Sequence, residues 1–223
     1  TLQARTLTIG VMHDSGDATR KYQLLANYIS SNGIDSTVEI FHRYHNAVVS
    51  FNNKKLDALI AGSGVGAILL LKKMAYPLVR PVSIEGWSTY EAVILSHRGG
   101  KRFNGDPVFF DSKQVACTEL ASSGEFFIKS MGNKTVSIVR AGSHLLAIRA
   151  LNRGIVDIAV VKNRVWNSYK AMFPDLEQMG EALGSNPNMT LMISKNTNRK
   201  SVAKLKEILL GLGNDNGTAA TKL

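Results

Sequence analysis

Tyr44-His45-Asn46-Ala47-Val48-Val49-Ser50-Phe51-Asn52-Asn53-Lys54-Lys55-Leu56-Asp57-Ala58-Leu59-Ile60-Ala61 has an echo later in the chain. The second copy runs Ser143-His144-Leu145-Leu146-Ala147-Ile148-Arg149-Ala150-Leu151-Asn152-Arg153-Gly154-Ile155-Val156-Asp157-Ile158-Ala159-Val160-Val161. In each, a His opens an apolar pattern of helical period that ends in Asn and basic residues. An apolar residue, an Asp and a short apolar run follow. His45 lies 12 residues before Asp57 and His144 lies 13 before Asp157, so pairing the two histidines needs one gap. The physical reading is helix, tight turn and buried parallel strand, once in each half. Two similar α/β lobes are expected to face each other across a cleft, with helix starts and their histidines turned inward.

Outward from these copies the chain alternates strand and helix patterns. Strands are expected at 5–12, 35–41, 56–61, 91–96, 115–118, 135–139, 155–161 and 188–194. Helices are expected at 18–32, 67–74, 122–131, 169–183 (interrupted at Pro174) and 201–212. Residues 13–17 read as a loop, Pro77 and Pro81 as breaks, and residues from 214 onward as a polar, frayed end. The turn-rich stretch 98–106 marks passage into the second lobe. This order implies parallel-rich sheets with helices on their faces. The first lobe is expected to comprise residues 1–90 and 190–223, and the second residues 91–189.

Composition narrows the class. The chain of 223 residues carries 27 Lys and Arg against 17 Asp and Glu, a net charge of +10 that suits an acidic partner. The basic residues are scattered and no nucleic-acid motif accompanies them, so a small oxyanion fits better than nucleic acid. The apolar run 65–71 is far shorter than the roughly 18 residues that span a bilayer. One cysteine, Cys117, excludes an intramolecular disulfide and a multi-Cys metal site. Its apolar neighbours Val115 and Ala116 make it a buried thiol. The sequence begins with Thr1 rather than Met, as a processed exported domain or a trimmed segment would.

Several stretches place hydrogen-bond donors at helix starts. Gly62-Ser63-Gly64-Val65-Gly66 follows a strand and opens a helix, which is either a tight turn or an anion cradle. It is neither a dinucleotide fingerprint nor a phosphate loop. Ser122-Ser123-Gly124 opens another helix, where Ser122 with Glu125 reads as a capping box and Ser123 offers a further hydroxyl. His144 follows Gly142-Ser143 at a third helix start. Trp87 and Tyr90 either wall a pocket or pack in the core, and His42-Arg43-Tyr44-His45 concentrates cations and a phenol. No nucleophile–base set and no metal-ligand spacing is present, so neither catalysis nor a metal or other cofactor is expected.

At these residues the chain resembles the phosphonate-binding-protein-like family of periplasmic solute-binding proteins. The resemblance runs through Tyr22–Ile29, Tyr44 with Leu56-Asp57-Ala58-Leu59-Ile60-Ala61-Gly62, and Gly86 to Tyr90. Ser122-Ser123-Gly124, Gly142-Ser143-His144 and Val156-Asp157-Ile158-Ala159 complete it. It implies a type 2 periplasmic binding protein fold, two α/β lobes with a ligand cleft and two hinge strands. It implies that Tyr44 and Tyr90 contact the ligand, and that Ser122, Ser123 and His144 hold its oxyanion. Two departures bear on the ligand. Ala121 stands where the family's helix start has its first Ser. Lys162-Asn163-Arg164 and Asn188-Met189-Thr190 carry no acidic residue where relatives that hold an aminoalkyl phosphonate have one.

The expected protein is therefore a periplasmic or extracytoplasmic, monomeric, non-enzymatic binding protein. Its expected ligand is phosphate, phosphite or a simple phosphonate, delivered to an ABC transporter in the membrane. The expected ligand contacts are Tyr44, His45, Ser63, Trp87, Tyr90, Ser122, Ser123, Gly124, His144 and Arg164. A sensing domain of a membrane receptor or kinase with the same fold is the first alternative, and an enzyme acting on a phosphate ester or phosphonate the second.

Overall fold

The computed structural model describes residues 5–12, 18–83, 86–119 and 122–212; the side chains of Ala18 and Tyr44 are outside that description. The expected loop at 13–17, Ala121 and the expected frayed end beyond 214 also lie outside the described residues. The chain runs β1 (Leu7–Met12), α1 (Ala18–Ser31), β2 (Ser36–Phe41), α2 (Tyr44–Asn52), β3 (Ala58–Ala61), α3 (Ser63–Leu71) and β4 (Ala75–Val79). It continues through β5 (Thr89–Tyr90), β6 (Ala92–His97), β7 (Gln114–Thr118), α4 (Ser123–Ser130), β8 (Ser137–Ala141), α5 (His144–Asn152) and β9 (Ile158–Lys162). Then follow α6 (Asn163–Tyr169), β10 (Leu176–Glu181), β11 (Asn186–Pro187), β12 (Thr190–Ser194) and α7 (Arg199–Gly211). Two compact units result, one of residues 1–81 with 189–223 and one of residues 82–188.

The first unit holds a five-stranded sheet in the order β2-β1-β3-β12-β4. β1, β2 and β3 are parallel, while β12, returning from the far end of the chain, is antiparallel to both β3 and β4. Ile9, Val11, Ala58 and Ile193 pack on α1 and α7 through Leu25, Ile29 and Leu205. The other face packs on α2 and α3 through Ala47, Phe51, Val65 and Leu69. The second unit repeats the plan in the order β10-β6-β9-β7-β8, with β7, β8 and β9 parallel and β6 antiparallel to β9 and β10. A short ribbon pairs β5 with β11 in the same unit.

The internal repeat is tighter than the histidine pairing suggested. Both α2 and α5 have nine residues, and each starts 13 residues before its Asp, so Tyr44, not His45, matches His144 without a gap. The bonding agrees. Lys54 N–H reaches the Phe51 carbonyl and Lys55 N–H that of Ser50, while Gly154 N–H reaches Leu151 and Ile155 N–H reaches Ala150. Each is the doubled closure of a helix that ends in a left-handed residue, here Lys54 (φ 59°) and Gly154 (φ 68°). A one-residue gap therefore has no structural counterpart.

Asp57 and Asp157 make matching ties in the two units. Thr8 N–H donates to Asp57 Oδ2 at 3.0 Å and Asp57 N–H returns to the Thr8 carbonyl at 2.9 Å. Gln114 N–H donates to Asp157 Oδ2 at 2.8 Å and Asp157 N–H returns to the Gln114 carbonyl at 2.9 Å. The Asp57 carbonyl also accepts from Ser194 N–H, and the Asp157 carbonyl from Ser96 Oγ–H. Each Asp thus ties the central parallel strand to its parallel neighbour and to the antiparallel strand on its other side.

One expectation fails in the tail of the second unit and two in the first. Residues 169–183 do not form a helix but the end of α6, a 3-10 turn at Lys170–Met172 and the strand β10. Pro174 keeps Phe173 out of the helical region (φ −130°, ψ 67°), and an irregular register between Gln178 and Gly180 turns both Leu176 and Met179 inward. Spaced three apart, these two apolar residues imitate helical periodicity. Pro77 sits inside β4 rather than breaking the chain, which an edge strand tolerates. Finally, α3 begins at Ser63, directly after Gly62, rather than at 67.

Candidate functional site

In the second unit, three consecutive strand-to-helix junctions bring their polar residues together around Tyr90. Ser122 caps α4, its Oγ accepting from Glu125 N–H at 3.1 Å. The capping box is only half made, because the Glu125 carboxylate turns to Arg140 (2.6 Å) and Lys129 (2.8 Å). The Arg140 guanidinium holds this carboxyl below its usual range against the opposing effect of burial. Arg140 is brought there by β8, whose register sets it beside Cys117 of β7. Cys117 is fully buried, and burial, with Glu125 nearby, pushes its thiol up to about 12, an inert group.

Ser123, the first residue of α4, is buried and accepts a hydrogen bond from Tyr90 O–H at 3.0 Å. Tyr90 itself is 2% exposed. With its oxygen accepting from the phenol, Ser123 is set to donate its own proton elsewhere, as an oxyanion would require. Gly124 explains how α4 comes so close to β9. A Cβ at that position would meet the Val160 carbonyl oxygen at 3.0 Å and its side chain at 3.1 Å.

His144 opens α5 behind Ser143, whose Oγ caps Leu146 N–H at 3.2 Å. Its Nδ1 is buried and has no hydrogen-bond partner among the described residues. Burial first, and then the Lys162 charge, lower its pKa to about 3, so the ring is neutral at physiological pH and offers one N–H donor and one acceptor. Lys162, the last residue of β9, places Nζ over the Tyr90 ring, 4.5 Å from its centroid. Such an ammonium-on-ring contact stabilises by about 0.5–2 kcal/mol.

The other expected contacts divide. Arg164 is exposed and donates to the Thr89 carbonyl at 3.2 Å. Trp87 is 62% exposed, so it does not pack in the core; its carbonyl accepts from Ser83 N–H. In the first unit, Ser63 begins α3 and is half-buried, and His45 is exposed as the second residue of α2. The backbone of Tyr44 begins α2, while its side chain lies outside the described residues. Two residues near the Tyr90 cluster escaped the sequence reading. Lys162 is not among the expected ligand contacts. Glu91, next to Tyr90, is half-buried and accepts from Asn163 Nδ2, so this neighbourhood does contain a carboxylate. The signal for Lys162 was the junction itself, since Lys162 and Asn163 stand where the first copy has Gly62 and Ser63; Glu91 joins them only through the fold. Among the described residues, no three His, Cys, Asp or Glu group to hold a metal, and no helix is long and apolar enough to cross a membrane.

Comparison with known proteins adds the lineage. The sequence profile of a family described as ABC transporter, phosphonate, periplasmic substrate-binding protein matches residues 9–222. No curated protein matches the sequence. Among solved structures, the chain is similar to PhnD1 from Prochlorococcus marinus (MIT 9301) in complex with methylphosphonate. The TM-score is 0.77 at 15% identity, covering 99% of this chain and 89% of that one. It is also similar to the Gly52Ala mutant of arginine-bound ArgBP from T. maritima (TM-score 0.70, 17% identity, covering 93% and 95%). A third is the GluR0 ligand-binding core from Nostoc punctiforme in complex with (L)-glutamate (TM-score 0.70, 17% identity, covering 97% and 95%). At these identities the likeness establishes the fold, that of type 2 periplasmic binding proteins. The three bound ligands differ so much in chemistry that the fold alone does not choose among them.

Proposed function

This chain belongs to the family of ABC-transporter phosphonate periplasmic substrate-binding proteins, and from that premise we propose that its ligand is phosphate, phosphite or a simple alkylphosphonate. The family is extracytoplasmic, binds a solute without transforming it, and works with a membrane transporter. What supports the finer reading is the pairing of Tyr90 O–H with Ser123 Oγ, which leaves the serine proton available to an acceptor beside the α4 start. The α4 amides, Ser122 and the neutral ring of His144 add donors to the same unit, and Lys162 adds positive charge. Tyr44 and Ser63 are the contacts proposed from the first unit. The protein is proposed to act as a monomer.

A sensor role is the second reading, since the same fold forms the ligand-binding core of GluR0. A longer gene product with a membrane span and a signalling domain would decide for it. Ligand class is tested by thermal shift across phosphate, phosphite, methylphosphonate, 2-aminoethylphosphonate, sulfate, arsenate and arsenite. A ligand present at 100 times its dissociation constant stabilises by about 2.7 kcal/mol. Stabilisation by phosphate, phosphite or methylphosphonate ahead of the others is expected. A lead for the aminated compound would point to Glu91 as an ammonium partner and overturn the simple-anion reading.

A further inference from the structure

We propose that Lys162 is the specificity-determining cation of the second unit, selecting a doubly ionised phosphorus oxyanion over a singly ionised one. The inference rests on the phosphorus-oxyanion reading above and names the ligand charge that the same site takes. Its basis is position. Lys162 ends β9 opposite Ala92 of β6, and this register sets its stem beside β5, where its ammonium lies over the buried Tyr90 ring. That ring carries the hydroxyl that engages Ser123. Lys162 also sits close enough to His144 to disfavour a proton on it.

Three other basic residues lie in this neighbourhood. Arg140 is paired with the buried Glu125 carboxylate, and Arg164 is exposed on the Thr89 carbonyl. His144 carries no charge at physiological pH. The serines and the imidazole supply hydrogen bonds, which a singly ionised phosphonate satisfies nearly as well as a doubly ionised one. A full positive charge a few ångström away does not treat the two alike, because its attraction doubles with the second charge. The first unit has no such group at the matching junction, where Gly62 stands in place of Lys162.

The test compares methylphosphonate with its monomethyl ester, which keeps the phosphorus and its methyl group but bears one charge. Calorimetry is run on the whole chain at a pH above the second ionisation of methylphosphonate, with wild type, Lys162→Met and Lys162→Arg. Lys162→Met is expected to weaken methylphosphonate about 10-fold or more and the ester less than about 3-fold, about 1.4 kcal/mol being one decade. Lys162→Arg, which keeps the charge, is expected to restore most of the preference. Equal loss for both ligands in Lys162→Met would mean that Lys162 only props the Tyr90 ring, and unchanged binding would mean no role; either overturns the assignment while the functional reading stands. Should Lys162→Met unfold, loss of the dianion preference in Lys162→Arg overturns it as well. Wild type binding neither these two compounds nor phosphate or phosphite overturns the functional reading and this assignment with it; binding of phosphate or phosphite alone moves the same comparison of variants to that anion above and below its second ionisation.

Discussion

The two units share one frame and differ in what they mount on it. Each closes its second helix with the same pair of backbone bonds and ties three strands together through one Asp. At the junctions they part. α2 follows Arg43 without a side-chain cap, whereas its counterpart α5 is capped by Ser143; α3 and its counterpart α6 both start uncapped, after Gly62 and Lys162. His144 stands where the first unit has Tyr44, and Lys162 where it has Gly62. Backbone hydrogen bonds and one short carboxylate set the frame, so it tolerates change in nearly every side chain. The junctions hold no such constraint, and chemistry diverges there.

The largest expected effect concerns His144, whose place in the first unit is taken by Tyr44. Its folded pKa of about 3 lies below the ordinary 6.5, so the unfolded chain binds a proton that the folded ring refuses. The associated stability is complete above about pH 6.5 and is lost as pH falls toward 3, on the order of 3 kcal/mol after discounting for the half-buried residue. Between about pH 6.5 and 4.5, above the ordinary range of Glu125, His144→Gln should flatten the fall in melting temperature of ligand-free protein. Parallel curves for variant and wild type would break the contrast.

The Asp ties come next. Asp57 is the more enclosed, with its side chain 14% exposed and Arg5 at 3.4 Å, while Asp157 is exposed. Asp57→Ala should cost about 2–3 kcal/mol and Asp157→Ala about 1–2 kcal/mol, read from chemical denaturation. A reversed ranking would show that the two ties are not equivalent in the way their geometry says. Ser123→Ala then sharpens the chemical difference: methylphosphonate affinity should fall about 10-fold with melting temperature little changed. Wild-type affinity in that variant would remove Ser123 from the site.

The smallest effect tests the frame itself. Lys54 holds the left-handed position that Gly154 fills in the second unit, so Lys54→Gly should stabilise and Gly154→Ala destabilise, each by about 1 kcal/mol. Opposite signs in thermal melts confirm that both helices end in the same turn. Like signs would deny it.

Much of this was legible in residue order. The alternation of apolar runs, the Asp before each central strand and the serine and histidine helix starts are local patterns, and local patterns determine element type. They also carried the family and the fold class. Where a second period competed, the reading failed: Leu176 and Met179 look helical until a bulge makes them a strand. Pro77 reads as a break until its strand is known to lie at a sheet edge. Tertiary structure alone decided which strand neighbours which, because β12 and β6 enter their sheets from distant parts of the chain. It alone placed Lys162 on Tyr90, Tyr90 on Ser123 and Arg140 on Glu125. Those contacts join residues separated by 72, 33 and 15 positions, and no sequence period reports a distance across a sheet.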